Sequence, residues 1–307
     1  MTCNGNNAKV VVTLMGDNER RQGESAAVEG QLAVFVSSCD AYSDLWTPFF
    51  TLFHAHWPDC PFEIFLGTNL REWRSGQVRV VRSGDDLSWA DSFRAQLRQI
   101  PHEYVLILLE DFFFRRHVKT SDVVGCLERL IRLDGHVVYL TPRPRARGRQ
   151  SDLGLASVSL DQPYRLSLQS AIWRRETLLK LLAPGESAWQ FELNGTQRSR
   201  QFETGFYSAR ANVIPYRGLL VHHVVERGKW FPHQAWQFGR MGIGCQFDKR
   251  GVLRWSETAR YHCAVILSRT IEALPPAIRR LLDRTVRSRV AHLLGSSGRT
   301  KTNRQDS

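Results

Sequence analysis

No apolar run in this 307-residue sequence approaches the ~18–20 residues that cross a bilayer, which excludes a transmembrane helix. Cysteine is sparse and scattered. Cys3, Cys39, Cys60, Cys126, Cys245 and Cys263 form no C-x-x-C pair, so a zinc ribbon or thioredoxin-type site has no support. Most of them lie in apolar stretches and read as small buried hydrophobes in a reduced, cytosolic setting. There is no G-x-x-x-x-G-K-[ST] and no G-x-S-x-G, so neither a P-loop nor a hydrolase nucleophile elbow is supported. Internal repeats are absent. The short apolar patch Val10–Leu14 lacks a basic flank, so a secretory signal is not expected.

What is present is a core-forming composition, 42% apolar with nine Trp and sixteen Phe, which excludes a disordered chain. The net charge is +12, and it is uneven. Residues 279–307 carry eight Lys/Arg against two Asp, half of the excess. A second basic cluster, Arg143 to Arg149, holds two prolines, Pro142 and Pro144, at or beside its start and reads as a loop able to close over a phosphate. Ala277 to Val290 mixes apolar and basic residues at helical spacing, as helices do that lie on an anionic membrane surface. A basic nucleic-acid-binding protein is the alternative that charge suggests, but no recognised binding motif accompanies it and nucleic acid is not the expected partner.

Apolar periodicity predicts strands at Leu32–Val36, Phe62–Leu66, Val78–Val81 and Glu103–Leu109. It predicts helices from Ser43 or Asp44 to His56, with Pro48 in the early turns, and from a Ser88 cap to Gln99. Further on, a helix is expected over Val123–Leu133 and strands over Val137–Leu140 and Arg165–Trp173. Helices are expected at Arg175–Leu182, Arg198–Ala211, 258–272 and 276–294, with short strands at Val213–Ile214 and Leu219–Val221. The order strand, helix, strand, strand, helix, strand implies an α/β fold on a largely parallel sheet, flanked by helices. Residues 1–30 read as a loose leader, 31–257 as one α/β domain, 258–294 as a C-terminal helical segment and 295–307 as a basic tail.

Ligands of such sheets bind beyond the carboxyl ends of the strands. That rule selects Asp40, Thr68, Asn69, Asp85, Asp86, Glu110 and Asp111, all directly after predicted strands. Glu110 and Asp111 end the most apolar strand and offer two hard oxygen ligands on a rigid support, suited to Mg²⁺ or Mn²⁺ shared with phosphate oxygens. His222 also follows a predicted strand and could join that shell. Arg227 and Lys229 are natural phosphate partners.

The stretch Asp85-Asp86-Leu87-Ser88-Trp89-Ala90-Asp91-Ser92-Phe93-Arg94, followed one strand later by Leu109-Glu110-Asp111, resembles the segment of GT-A glycosyltransferases that ends in a DxD-like metal motif. Leu109 stands where the first Asp of that motif would be, and this departure leaves a saccharide-binding relative without catalysis open. The resemblance covers roughly residues 31–225. It implies a GT-A-like, Rossmann-like fold and a hexosyltransferase-type enzyme. The enzyme would move a sugar from a nucleotide-sugar donor to a hydroxyl on a glycan or lipid-linked saccharide. The donor site would draw on Asp40, Thr68, Asn69, Asp85, Asp86, Arg94, Arg227 and Lys229, and the metal on Glu110, Asp111 and His222. Ser167 to Leu178 resembles the acceptor-side strand and helix of these enzymes. In inverting members an acidic residue after that helix is the base, which points to Glu192, with Glu186 second. Trp173 and Trp189 would stack on acceptor sugars. The same stretch resembles proteins of bacterial surface-polysaccharide gene sets, which implies a cytoplasmic enzyme, peripheral to the inner face of the membrane.

Overall fold

The computed structural model describes residues 28–85, 87–144, 146, 154–217 and 220–274. The leader through residue 27, Asp86, most of the Arg143–Arg149 loop, Leu219, the expected helix 276–294 and the basic tail lie outside the described residues. The chain divides into two compact units between Arg217 and Gly218. The boundary expected after residue 257 falls within the second of them.

The first unit is built on an eight-stranded sheet in the order β3-β2-β1-β4-β7-β5-β8-β6. Strands β1 (Leu32–Ser37), β2 (Glu63–Thr68), β3 (Val78–Arg82) and β4 (Tyr104–Leu109) run parallel. β1 and β4 are almost wholly buried, as continuous apolar runs are when helices cover both faces. Beyond β4 the sheet becomes mixed. β7 (Ala171–Arg174) is antiparallel to both β4 and β5 (Val137–Tyr139). β8 (Phe206–Ser208) is parallel to β5, and β6 (Ala156–Ser157) is antiparallel to β8. The expected α/β class with a mostly parallel sheet is borne out.

Helices α1 (Trp46–His56), α2 (Trp89–Leu97), α3 (Thr120–Arg132), α4 (Arg175–Leu181) and α5 (Ala188–Arg198) flank the sheet. α2 carries the expected Ser88 cap, whose hydroxyl accepts from Asp91 N–H at 3.2 Å. α5 starts with a capping box between Ser187 and Gln190. α1 has no such cap. A 3₁₀ turn over Asp40–Leu45 runs straight into it, so Ser43 carbonyl accepts from Trp46 N–H and neither Ser43 nor Asp44 caps.

Three expectations for this unit are corrected. Strand character over Arg165–Trp173 is confined to β7, because the preceding N–H groups go to side chains. Leu166 donates to Thr196 Oγ1, Ser167 to Tyr139 Oη and Leu168 to Glu192 Oε1, at 3.1, 3.2 and 2.7 Å. The helix expected over Arg198–Ala211 ends at once in a 3₁₀ turn, Ser199–Gln201, and then gives way to β8. Gly205 makes that reversal at φ +87°, with its carbonyl accepting from His136 and Val137 N–H, and a Cβ there would meet His136 Cδ2 at 2.6 Å. Val213–Ile214 form no strand; Val213 N–H instead donates to Leu140 carbonyl at 2.8 Å.

In the second unit a hairpin, β9 (Val225–Glu226) and β10 (Lys229–Trp230), is followed by α6 (Pro232–Met241), α7 (Phe247–Arg250) and α8 (Trp255–Ala273). Its two-residue turn has positive φ at both Arg227 (+52°) and Gly228 (+76°), as tight hairpins require. Leu220 and Val221 are not in a strand. Buried Trp230 packs edge-on against Phe238 and Phe247. Among the described residues no helix is long and apolar enough to cross a membrane. Among the described residues, Cys39, Cys60, Cys126, Cys245 and Cys263 form no disulfide with one another. Only Cys126 of these is fully buried and Cys263 is exposed, which corrects the reading of most of them as core residues.

Candidate active site

The parallel register brings the carboxyl ends of β1 to β4 level with one another. Ser37 pairs with Leu109, Val36 with Leu66, and Thr68 with Arg82. The polar residues after these strands therefore share one rim of the sheet, as the sequence order implied.

At the β1 and β2 ends, Asp40 and Asn69 clamp each other. Asn69 N–H donates to Asp40 Oδ1 at 2.9 Å, and Asp40 N–H donates to Asn69 Oδ1 at 2.9 Å. Asp40 Oδ2 accepts from Leu70 and Arg71 N–H at 3.0 and 3.1 Å. A carboxylate accepting three backbone N–H groups fixes a loop. Asp40 thus shapes the turn beyond β2. Asn69 Nδ2 extends the clamp to Ser83 Oγ at 3.2 Å, after β3. Thr68 is fully buried, and its hydroxyl donates to Arg71 carbonyl at 3.0 Å. Gln96 of α2 donates to Thr68 carbonyl at 2.9 Å, so the helix is tied to the same rim. Asp85 is exposed there.

At the β4 end, Glu110 is buried and Asp111 half-buried. Tyr216, which sequence reasoning missed, packs its ring edge-on against Phe112 at 5.3 Å. Burial drives the Tyr216 phenol above its usual range, Ser170 offsets part of this, and the Asp111 charge adds to it. Asp111, Ser170 and Tyr216 therefore share one neighbourhood. Nothing in Pro215-Tyr216-Arg217 marks such a role in the sequence. Among the described residues no group of three or more His, Cys, Asp or Glu side chains is placed to hold a metal ion.

The β4–β7 register places the acceptor-side segment. Ile107 pairs with Ala171, so the segment before β7 approaches from the carboxyl end of β4. Glu192, in the middle of α5, accepts from Leu168 N–H at 2.7 Å and from Ser167 Oγ at 3.1 Å through Oε1. Its carboxylate is therefore held beside the same rim. Burial pushes the Glu192 carboxyl above its ordinary value, against the pull of the Leu168 and Ser167 hydrogen bonds.

Other expected residues are placed differently. Glu186 is buried in a two-pronged ion pair with Arg198, 2.8 and 2.5 Å, and accepts from Asn194 Nδ2 at 2.9 Å. Burial raises its carboxyl, but the Arg198 and Asn194 contacts outweigh it and hold it below the usual value. That carboxylate bolts the turn before α5 and is not available as a base. Trp173 is 2% exposed and packs edge-on against Tyr139 and Phe206, so it is a core residue with no face for a sugar. Trp189, 56% exposed on the first turn of α5, does present its ring. Arg94 is on α2, and its guanidinium donates to Leu182 carbonyl at 2.7 Å, just beyond α4. Asp91, by contrast, ties the start of α2 to the turn before α5. It accepts from Ser88 Oγ at 2.5 Å and Gly185 N–H at 2.9 Å, bonds that hold its carboxyl below the usual value.

His222, Arg227 and Lys229 belong to the second unit. His222 is half-buried. Its neighbour His223 lies 3.2 Å from both Glu226 Oε2 and Tyr261 Oη. Arg227 occupies the hairpin turn, 3.6 Å from Glu226, and Lys229 is exposed on β10.

No protein-family model and no curated protein matches the chain. Among solved structures, it is similar to S. aureus TarS 1–349 in complex with UDP, at 12% identity and TM-score 0.44, over 86% of this chain and 89% of that one. S. aureus TarS 1–349 alone aligns at 14% identity and TM-score 0.42, over 61% of this chain and 59% of that one. A longer TarS structure is spanned over 54% of its length. A mutant Drosophila β1,4-galactosyltransferase 7 in complex with manganese, UDP-Gal and xylobiose aligns at 12% identity and TM-score 0.32, over 64% of this chain and 72% of that one.

Proposed function

We propose that the chain is a GT-A-like glycosyltransferase that moves a sugar from a nucleoside diphosphate donor to a saccharide hydroxyl with inversion. The observation that carries this reading is the shared rim. Parallel strands end level there, with adjacent carboxylates after β4, and Glu192 is bonded to Leu168 in the segment that enters β7 from that end.

Glu110 and Asp111 would hold Mg²⁺ or Mn²⁺. Their two hard oxygen donors fit such an ion, which keeps positions for water and phosphate oxygens. When bound, the ion would neutralise charge on the departing diphosphate. The loop fixed by the Asp40–Asn69 clamp would meet the nucleoside. Glu192 would take the proton from the acceptor hydroxyl as that oxygen bonds to the anomeric carbon. The bond from that carbon to the diphosphate oxygen breaks on the opposite face, and the nucleoside diphosphate leaves. Trp189 would stack on the acceptor sugar. A lipid-linked or membrane-associated glycan is the acceptor class that the basic C-terminal stretch favours, with the enzyme at the inner face of the cytoplasmic membrane.

The raised Glu192 carboxyl has a kinetic consequence. A base works only when deprotonated, so the acidic limb of the kcat/KM profile should lie above the ~4.3 of an ordinary glutamate. Glu192→Gln should remove that limb together with most of the transfer. A limb at the ordinary carboxylate value, or unchanged activity in the variant, would assign the proton transfer elsewhere.

The direct test is a thermal-shift screen of nucleoside diphosphates and nucleotide sugars, with and without Mn²⁺ or Mg²⁺. A ligand that binds the native state raises the melting temperature, by an amount set by about RT ln(1 + [L]/Kd). A metal-dependent shift with one nucleotide family is expected. A shift with short DNA or RNA and none with any nucleotide would overturn the transferase reading.

A further inference from the structure

A cleft of about 340 Å³ between α2 and α4 is lined by Arg94, Arg98, Arg175, Glu176, Leu179 and Lys180. Its position follows from the strands. Arg174 at the end of β7 pairs with Tyr104 at the start of β4, and Arg175 N–H donates to Glu103 carbonyl at 2.9 Å. α4 therefore begins at the amino end of β4. α2 lies beside it, since the Arg175 guanidinium donates to Ile100 carbonyl just beyond α2. None of the residues that line it is among those that follow β1 to β4 at the candidate active site.

The cleft gathers four cationic side chains against one carboxylate. Two of them are engaged by the protein. Arg94 donates to Leu182 carbonyl, and Arg175 Nη2 is 3.0 Å from Glu176 Oε1. Arg98 and Lys180 are exposed, and neither forms an ion pair among the described residues. A cation near a helix C-terminus favours the helix dipole, which accounts for Arg98 on α2 or Lys180 on α4 singly. It does not account for two helices turning four cations toward one cavity, where like charges repel. A bound anion removes that repulsion. Guanidinium forks match phosphate oxygens in geometry, and the volume lies at the small end of ligand pockets, ~300–1,000 Å³.

We propose that this cleft is a second anion site, taking a phosphate or diphosphate group on residues that the transfer site does not use. The assignment stands whether or not the chain transfers sugar. The phosphate belongs either to a soluble phosphorylated compound or to a phospholipid headgroup.

The experiment uses the full chain and an Arg98→Glu/Lys180→Glu double variant. Sodium pyrophosphate is titrated calorimetrically with EDTA present, which keeps metal-dependent diphosphate binding silent. The same proteins are co-sedimented with phosphatidylglycerol and with phosphatidylcholine vesicles. Both substituted side chains are exposed, so the melting temperature without ligand should hold. An Arg98→Gln/Lys180→Gln variant serves if charge reversal unfolds the protein. Binding to wild type that weakens at least about tenfold in the variant, and weakens with salt, supports the site. Pyrophosphate binding without vesicle binding identifies a soluble ligand. Phosphatidylglycerol binding lost in the variant identifies a headgroup. Equal binding of both probes by wild type and variants overturns the proposal, as does no binding of either probe by wild type.

Discussion

Asp111→Asn is expected to lower transfer by about 10²–10³-fold or more, the range seen when one group facing developing charge is removed. The substitution keeps the size of the side chain and takes away its charge, and Asp111 is only half-buried, so the fold should survive it. Two readouts separate the roles. If Asp111 holds the ion, added Mn²⁺ should no longer raise the melting temperature with nucleotide. If Asp111 is a solvated strand-end acid, activity and metal response should both persist, and the metal assignment fails. The phenol of Tyr216 supplies an internal control. Part of its elevated pKa comes from the Asp111 charge, so its titration should move down in the variant wherever transfer goes.

The largest effect on stability is expected at Arg165. Its side chain is fully buried, with the guanidinium carbon 3.8 Å from the Phe206 ring centroid. Nη1 donates to Ser199 carbonyl at 2.5 Å and Ser199 Oγ at 3.0 Å, and Nη2 donates to Phe202 carbonyl at 2.8 Å. Burial pulls the guanidinium down to about 10, still charged at neutral pH. Arg165→Met would fill similar space and leave those carbonyls without donors. The loss should be about 3–5 kcal/mol, since each buried acceptor keeps its desolvation cost and loses its partner. In a unit of this size that is a drop of roughly 10 °C in Tm. A change below about 1 kcal/mol in urea unfolding would show that packing, not hydrogen bonding, closes this corner. Arg165 also acts on the candidate site through Tyr139, whose hydroxyl donates to Arg165 carbonyl at 2.8 Å and accepts from Ser167 N–H. Partial loss of that corner should therefore loosen the segment on which Glu192 rests.

The parallel half of the sheet was legible because strands buried on both faces read as unbroken apolar runs, and β1 and β4 are such runs. The rim residues were legible for the same reason, since a polar residue after each run marks a carboxyl end. Their division of labour was not. The Asp40–Asn69 clamp spans 29 positions, and nothing local shows that Asp40 spends its carboxylate on a neighbouring loop. The segment before β7 was misread because its apolar residues look like strand, while its N–H groups are satisfied by Thr196, Tyr139 and Glu192. Trp173 and Trp189 carry the same ring; a place in β7 sends the first to the core, and a place on the first turn of α5 leaves the second exposed. The hairpin and α6 were missed in a stretch where His, Arg and Gly interrupt any clear period.

The strand order β3-β2-β1-β4-β7-β5-β8-β6 has a consequence for biosynthesis. β1, β2 and β3 acquire neighbours from within the first part of the chain, and β4 covers the open side of β1. The far edge of β4 then waits for β7, because β5 and its helix emerge first and do not pair with it. Between the synthesis of Leu109 and Ala171 the most apolar strand of the protein has an unpaired edge, for about 3–12 s at ~5–20 residues per second. Open apolar edges template pairing between chains. A nascent chain arrested within this interval is the species most in need of a chaperone, and the stretch between these two strands is where a slowed ribosome would do most harm.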